Sequence, residues 1–502
     1  MEEYRTAKKG LKNGKASGPD GIAGEVLKYC EIDNIILQFI NRLFLSEKPD
    51  QWSESNLKPL PKSGDLTITS NYRGIALSSV PAKLANRMIL NRIRPAIDPL
   101  LRPNQNGFRP GRSTVSHILA LRRLIEGVKE FNLTAVLVFV DFKKAFDSIH
   151  RGRMFKILKA YGIPERLVNV IKLMYSNTRA RVLTPEGETE FFNIIAGVLQ
   201  GDTLAPLLFV IVLDYVMRQA LNGKVEELGF YLDRKRSRRH HPTIITDTDF
   251  ADDIALISKE IAQAQEMLAR VEKEAGKVGL HLNAKKTEVM KFNLPDSVGI
   301  HASNGSLIKE TGNFRYLGGW LENSKKDFET RKALAWSACN KLSKIWKSKV
   351  NRKIKERLFV VTVEYVLLYG AETWTIDKTF TKRLDGCYTR MLRVAFNVSW
   401  KEKIKNIELY GRLPAVSSKV THRRLRIAGH CVRHADQEVA GNLVLWQPVE
   451  GSRKRGRRTI NYVDTLLQDT GLCNTEELRT AMLDRTSWKK YVNMMRADAR
   501  PR

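Results

Sequence analysis

The chain has 502 residues, too many for one compact core, so two to four packed units are expected. Lysine and arginine total 85 against 54 aspartate and glutamate, a formal charge of +31 spread along the chain, which favours a polyanionic partner, most simply nucleic acid. Five cysteines with no CxxC exclude a disulfide framework, and the apolar run Leu204–Leu213, broken by Pro206, is too short to span a bilayer.

Residues 10–21 read as a Gly- and Lys-rich loop without P-loop spacing. A helix follows, with apolar positions at Ile22, Val26, Leu27, Ile35, Ile36, Phe39, Ile40 and Leu43. Short strands with a basic turn are expected over 59–77, a helix over 81–97, turns over 103–114 and helical spacing over 115–128. Ala135-Val-Leu-Val-Phe-Val140 reads as a buried strand that delivers Asp141 to its C-terminal end. Asp147, on the same segment, is expected to cap the helix entering at Ile149. Helical spacing over 153–174 breaks at Gly162-Ile-Pro164, and a hairpin is expected around Pro185-Glu-Gly187. Gly197–Pro206 turns into a buried helix from Leu207 to Met217. Residues 222–242, carrying the basic stretch Arg234–His241, read as a surface insertion.

Thr246–Ser258 has the pattern of a hairpin, with Phe250 ending one strand and Ile254–Ile257 forming the other. Asp252 and Asp253 sit at its tip. Adjacent carboxylates repel each other, and a divalent cation is a natural way to offset that. Most Asp-Asp pairs are solvated turn residues. A third carboxylate, Asp141, at a second strand end changes the reading to a two-metal site. Glu260–Val278 is an amphipathic helix, residues 279–291 a loop and strand, and 314–321 another strand and turn. From Asp327 the pattern is helical and basic, so an α/β half gives way to an α-rich half near 322–328. A last unit begins around 400. His422, His430, Cys431 and His434 have irregular spacing for a zinc finger, so helix packing and RNA contacts are expected there. Trp336, Trp346, Trp374 and Trp400 are expected as core anchors.

Taken in order, Lys15–Gly21, Asn71–Ile75, Asn106–Thr114, Phe139–Asp147, Gly197–Asp202, Phe250–Asp253, Gly279–Thr287 and Tyr316–Gly318 resemble the reverse transcriptase of non-LTR (LINE-type) retrotransposons. Leu368–Trp374, Arg423–His430 and Arg453–Arg457 resemble the tail of RTE-, CR1- or Jockey-like endonuclease–reverse transcriptases. The chain starts near the first block, so the upstream endonuclease is expected to be lacking and self-sufficient integration is not expected of this polypeptide. The resemblance implies an α+β right-hand polymerase: fingers over 1–134, a palm with antiparallel sheet and catalytic aspartates over 135–325, a helical thumb over 326–400, and a basic α-rich nucleic-acid-binding region over 401–502. The basic runs 341–355 and 451–458 would suit an RNA–DNA hybrid.

The implied reaction is RNA-directed addition of dNMP to a primer 3′-hydroxyl. Its partners are an RNA template, a DNA primer or target DNA, and dNTPs, with no membrane; the oligomeric state leaves no signal. Asp141 and Asp252 would bridge two Mg²⁺ ions, or Mn²⁺ as substitute, with the Phe142 carbonyl as a further ligand and Asp253 as the supporting carboxylate. Phe146 matches the aromatic that excludes a 2′-hydroxyl, and Gln200 and Gly201 match the loop against the nucleotide and template base. Lys62 and Arg73 match finger residues that hold the triphosphate, and Lys286 (or its neighbour Lys285) the group that protonates pyrophosphate. Gly74, Thr203 and Ala205 depart from residues common among relatives. Two competing readings remain: a catalytically inactive RNA-binding remnant or host-recruited adaptor, and an RNA-dependent RNA polymerase. An intracellular location, cytoplasm and nucleus, is expected.

Overall fold

The protein is described by a computed structural model covering residues 1–62, 64–233, 242–295, 298–453, 455–456 and 458–497. It is a mixed α/β structure built around one mostly antiparallel sheet. In spatial order the strands are Lys309–Glu310, Glu288–Phe292, Ala135–Val140, Asp253–Ser258 and Asp247–Phe250, and only the outermost pair, 288–292 with 309–310, is parallel. Every residue of Ala135–Val140 is buried, so its unbroken apolar run is explained by cover on both faces.

Strand periodicity divides that cover. Val136, Val138 and Val140 face one core, which takes in the helices Ala205–Leu221 and Ile261–Lys277. Ala135, Leu137 and Phe139 face a second core, formed with the helix Thr114–Glu130 and with apolar residues from Leu425 to Val492. A third core runs from Phe328 to Val420. The helix Val416–Arg433 belongs to two of them: Val416 and Val420 lie in the third core, Leu425, Ala428 and Cys431 in the second. Buried Arg122, on the Thr114–Glu130 helix, ties the same regions together. Its guanidinium donates to the Trp320 carbonyl (2.6 Å), to Asp327 (2.9 Å) and to the Thr373 hydroxyl (2.6 Å).

A smaller sheet lies N-terminal to the first core. Glu54–Pro61 pairs antiparallel with Tyr72–Ser78 and parallel with Arg179–Thr184, which turns into the hairpin expected near Pro185. The helix expected from Ile22 to Leu43 is two, Gly24–Tyr29 and Asp33–Leu43. Extended backbone at Cys30 separates them, and Asp33 starts the second while accepting from the Tyr4 hydroxyl (3.1 Å) and the Lys8 ammonium (2.5 Å).

The surface insertion expected over 222–242 is corrected in part. Phe230–Asp233 pairs with Thr243–Ile245, and Phe230, Leu232 and Ile245 are buried in the second core beneath Trp446. The Trp446 indole N–H donates to the Leu232 carbonyl (2.9 Å), so long-range packing overrides the local polar signal. Arg234–His241 lies outside the described residues. Trp346 and Trp374 are fully buried core anchors and Trp336 packs against them, while the Trp400 side chain is not described.

Candidate active site

The site is built at one end of the central sheet. Ile254 pairs with Val140 across the antiparallel ladder, and extending that register by one residue sets Asp253 opposite Asp141. On its other side Asp253 pairs with Phe250, which leaves Ala251 and Asp252 as the hairpin turn. Two adjacent carboxylates and a third more than a hundred residues upstream therefore lie at one sheet end.

Electrostatics report their closeness. Burial pushes the Asp253 carboxyl up to about 6, and the neighbouring Asp252 and Asp141 carboxylates add to the shift. The Asp253 side chain nonetheless stays accessible to solvent at the strand end. The Asp252 carboxyl is also raised, first by burial and then by Asp141; its own backbone N–H and the cationic Arg73 oppose the shift.

The turn is held from outside the hairpin. Ala251 adopts φ +54°, an uncommon region for a residue with a Cβ. The buried Gln105 carboxamide oxygen accepts from the backbone N–H groups of Ala251 (2.9 Å) and Gly107 (2.7 Å), locking that conformation. The Asn106 N–H donates to the Asp249 carbonyl (2.8 Å) and the Asp249 N–H to the Asn104 carbonyl (2.9 Å), so the 104–107 loop runs along the hairpin as an added edge. Nothing larger than glycine fits at 107, where a Cβ would lie 2.2 Å from the Ala251 nitrogen.

A second loop positions Asp141. The Asn283 amide donates to one carboxylate oxygen of Asp141 (2.9 Å), the Asn283 N–H to the Asp141 carbonyl (2.8 Å), and the Asp141 N–H to the Thr287 hydroxyl (3.2 Å). The Lys143 N–H donates to the His281 carbonyl (2.9 Å). These two backbone bonds flank a Phe142–Leu282 bridge, a pattern that turns the Phe142 carbonyl away from the 279–287 loop, toward the hairpin side.

Buried charge supports the hairpin from behind. Arg102 donates to both oxygens of Asp247 (2.6 and 2.5 Å) and lies 3.4 Å from Asp249. Burial, and then Asp247, raises the Asp249 carboxyl well above the usual range. A Thr-Asp-Thr-Asp strand looks solvent-facing by alternation; its burial depends on an arginine 145 residues upstream.

The other candidate residues divide. The Phe146 ring stacks on Phe209 (centroids 4.3 Å, planes 6° apart) and meets Phe108 edge-on at 6.1 Å. The Val198 N–H donates to the Phe146 carbonyl (2.7 Å), bringing the 197–201 loop beside the ring. Gln200 accepts from the Ala76 N–H (2.7 Å), and Gly201 at φ +111° approaches so closely that a Cβ would lie 2.5 Å from the Ala76 carbonyl. Lys62 and Arg73 sit on the smaller sheet and its hairpin, and their charges act on Asp147 and Asp252 respectively. Lys286 is exposed, and among the described residues its ammonium pairs with no carboxylate.

The capping role expected of Asp147 is corrected. The following helix, Arg151–Ala160, is capped by His150, whose Nδ1 accepts from the Arg153 N–H (3.2 Å). Asp147 instead stays exposed and accepts from the Gln200 amide (3.3 Å), and desolvation by the protein around it raises its carboxyl. Sequence reading also missed Gln105, Asn283 and Thr287. All three lie in or beside motif blocks, but an amide or hydroxyl there gives no local sign of its partner.

Among the described residues no three His, Cys, Asp or Glu side chains close on a point tightly enough to cage a cation by themselves. The donor set is three carboxylates with one carbonyl turned to their side. Hard oxygen donors that repel one another suit Mg²⁺, which completes its shell with water and substrate phosphates.

Residues 60–321 match the family model described as reverse transcriptase (RNA-dependent DNA polymerase). The chain is similar, at 30% identity over 62% of its length, to a Pol polyprotein from the type-1 retrotransposable element R2 of Popillia japonica, of which it covers 41%. It is 24% identical over 91% of its length to the probable RNA-directed DNA polymerase from transposon BS of Drosophila melanogaster, covering 51% of that protein. Over 84% of its length it is 24% identical to the RNA-directed DNA polymerase from mobile element jockey of Drosophila funebris, covering 46%. The chain thus spans about half the length of these relatives or less.

Proposed function

Because the chain belongs to the reverse transcriptase (RNA-dependent DNA polymerase) family, we propose that it is the RNA-directed DNA polymerase of a non-LTR retrotransposon, joining dNMP to a primer 3′-hydroxyl on an RNA template. The observation that carries this reading is the register that sets Asp253 opposite Asp141 beside Asp252. Family membership implies an RNA template and a nucleic-acid primer; DNA as that primer or as target, and dNTPs as substrates, are part of the proposal.

Asp141 and Asp252 would hold two Mg²⁺ ions, or Mn²⁺ in their place, with Asp253 and the Phe142 carbonyl. The ions supply activation of the attacking hydroxyl and charge neutralisation on the leaving pyrophosphate. The protein's part is to orient. Asn283 fixes Asp141, and Gln105 fixes the turn that carries Asp252. Arg73 and Lys62 receive the triphosphate from the smaller sheet, consistent with their field at Asp252 and Asp147. Phe146, stiffened by its stack on Phe209, stands against a 2′-hydroxyl, and Gln200 and Gly201 shape the wall beside it. Lys286 protonates pyrophosphate as it departs, reaching it from the exposed end of the 279–287 loop.

In the right-hand layout we assign residues 1–134 to fingers, 135–325 to palm, 326–400 to thumb and 401–502 to a nucleic-acid-binding region. The five cysteines are unpaired, which suits the reducing interior of cytoplasm and nucleus. Among the described residues no helix is long and apolar enough to cross a membrane.

Primer extension on an RNA template with Mg²⁺ tests the assignment. Asp252→Ala should lower incorporation by about 10³-fold, the scale of losing one transition-state stabiliser. Extension at the wild-type rate in that variant refutes the site.

A further inference from the structure

A cavity of about 670 Å³ opens between the helices Val416–Arg433 and Arg485–Ala497, with the turn at Gly111–Ser113 as a third wall. Its lining is cationic. The first helix contributes His422, Arg426 and His430 at four-residue steps, with Arg423 and Arg433 beside them; the second contributes Arg485 and Lys489. The one carboxylate in the wall is Glu372, which has an oxygen without a hydrogen-bond partner and is pushed toward its neutral form by burial.

Two observations indicate that this charge awaits an anion. Among the described residues, Arg426, Arg485 and Lys489 donate to no side chain or carbonyl. Arg433 is held beside Arg485, and after burial that like charge is the next influence destabilising its protonated form. The basic loop at 451–458 differs: Arg453 pairs with Glu130 (2.7 Å) and Arg458 with Asp464 (2.6 Å).

The shape selects the kind of anion. Four residues of helix rise about 6 Å, so Arg426 stands between two imidazoles spaced along the groove, with Arg485 and Lys489 on the facing helix, and the charge is strung out and not gathered in one converging pocket. Trp488, at the floor, is buried with its indole N–H donating to the Leu425 carbonyl (2.8 Å), leaving it no free face for a base. A string of phosphates read without sequence is what such a lining recognises. We infer that the groove between Val416–Arg433 and Arg485–Ala497 binds the backbone of a single-stranded nucleic acid, outside the polymerase centre. The inference rests on the polymerase reading for the origin of the strand, a template arm or a displaced strand, but binding needs no catalysis.

The test uses the full chain, fluorescent 20-mer single-stranded RNA, single-stranded DNA and duplex DNA, and a KCl series. Arg426→Ala/Arg485→Ala/Lys489→Ala removes exposed side chains with no partner among the described residues, so the melting temperature should hold. Lys156→Ala/Lys172→Ala/Lys273→Ala removes the same charge from exposed positions away from the groove. The groove variant should bind single strands about tenfold more weakly than the control. Its log–log salt slope should be shallower by about 2, three contacts at roughly 0.7 each. The RNA and DNA arms identify which strand is held. Equal affinity in groove variant and control, or loss confined to duplex, overturns the inference. Single-nucleotide extension on a short annealed primer–template should be the same in both. If the wild type incorporates nothing while the groove variant still loses strand binding, the polymerase reading fails and the groove stands.

Discussion

Asp253 holds its proton to a higher pH than an ordinary aspartate, and giving that proton up has a measurable cost. Its folded-state value, about 6, lies above the roughly 3.9 of an unfolded aspartate, so the native state keeps the proton longer. Stability carried by that proton is full below about pH 4 and declines as pH rises to about 6. In metal-free protein at pH 7.5, Asp253→Asn should therefore be more stable than wild type by about 1 kcal/mol, discounted because the side chain is part-exposed. Denaturant melts should show the advantage vanish at pH 4 and shrink when Mg²⁺ is added at pH 7.5. An unchanged midpoint at pH 7.5 excludes the crowding. The three aspartates were legible in the sequence because a doubled carboxylate and an apolar strand end are local patterns. Gln105 and Asn283 were not, because their partners lie 146 and 142 residues away and an isolated amide has many uses.

At the scale of elements, the hairpin that carries Asp252 and Asp253 is shaped less by its own residues than by the 104–107 loop against it. Gly107→Ala must displace the Ala251 backbone, and a shift near 1 Å at a two-carboxylate turn is expected to cost about 10²-fold in extension rate. Nucleotide KM should move far less than kcat, since Lys62, Arg73 and Gln200 lie on other elements; equal changes in both would point to general misfolding. Element positions followed well from periodicity: the expected 81–97, 115–128 and 260–278 helices are Val80–Ile97, Thr114–Glu130 and Ile261–Lys277. The expectation for Asp147 failed for a physical reason. Capping preference is a local statistic, and here Lys144 at φ +46° and a short helix at Ala145–Ser148 move the next helix start to His150.

Across the whole molecule, apolar residues from Leu425 to Val492 complete the rear wall of the central sheet. Leu425, Leu443, Trp446, Leu466 and Trp488 share a core with Leu137 and Phe139 of the central strand. Trp446→Ala should cost about 3–5 kcal/mol, because the ring packs on Gly127, meets Phe230 at 6.0 Å and donates to Leu232. Thermal or denaturant melts check this; a loss under 1 kcal/mol would mean the region is an appended tail. That merger was not legible in the chain, since an apolar stripe shows that a face is covered and not by what. The Val416–Arg433 helix carries the point further. A girder rooted in two neighbouring cores leaves no hinge at their joint, so any swing of the Ser324–Ala395 bundle during a reaction cycle must lever the sheet's backing with it. Heat should erase both regions in a single calorimetric peak.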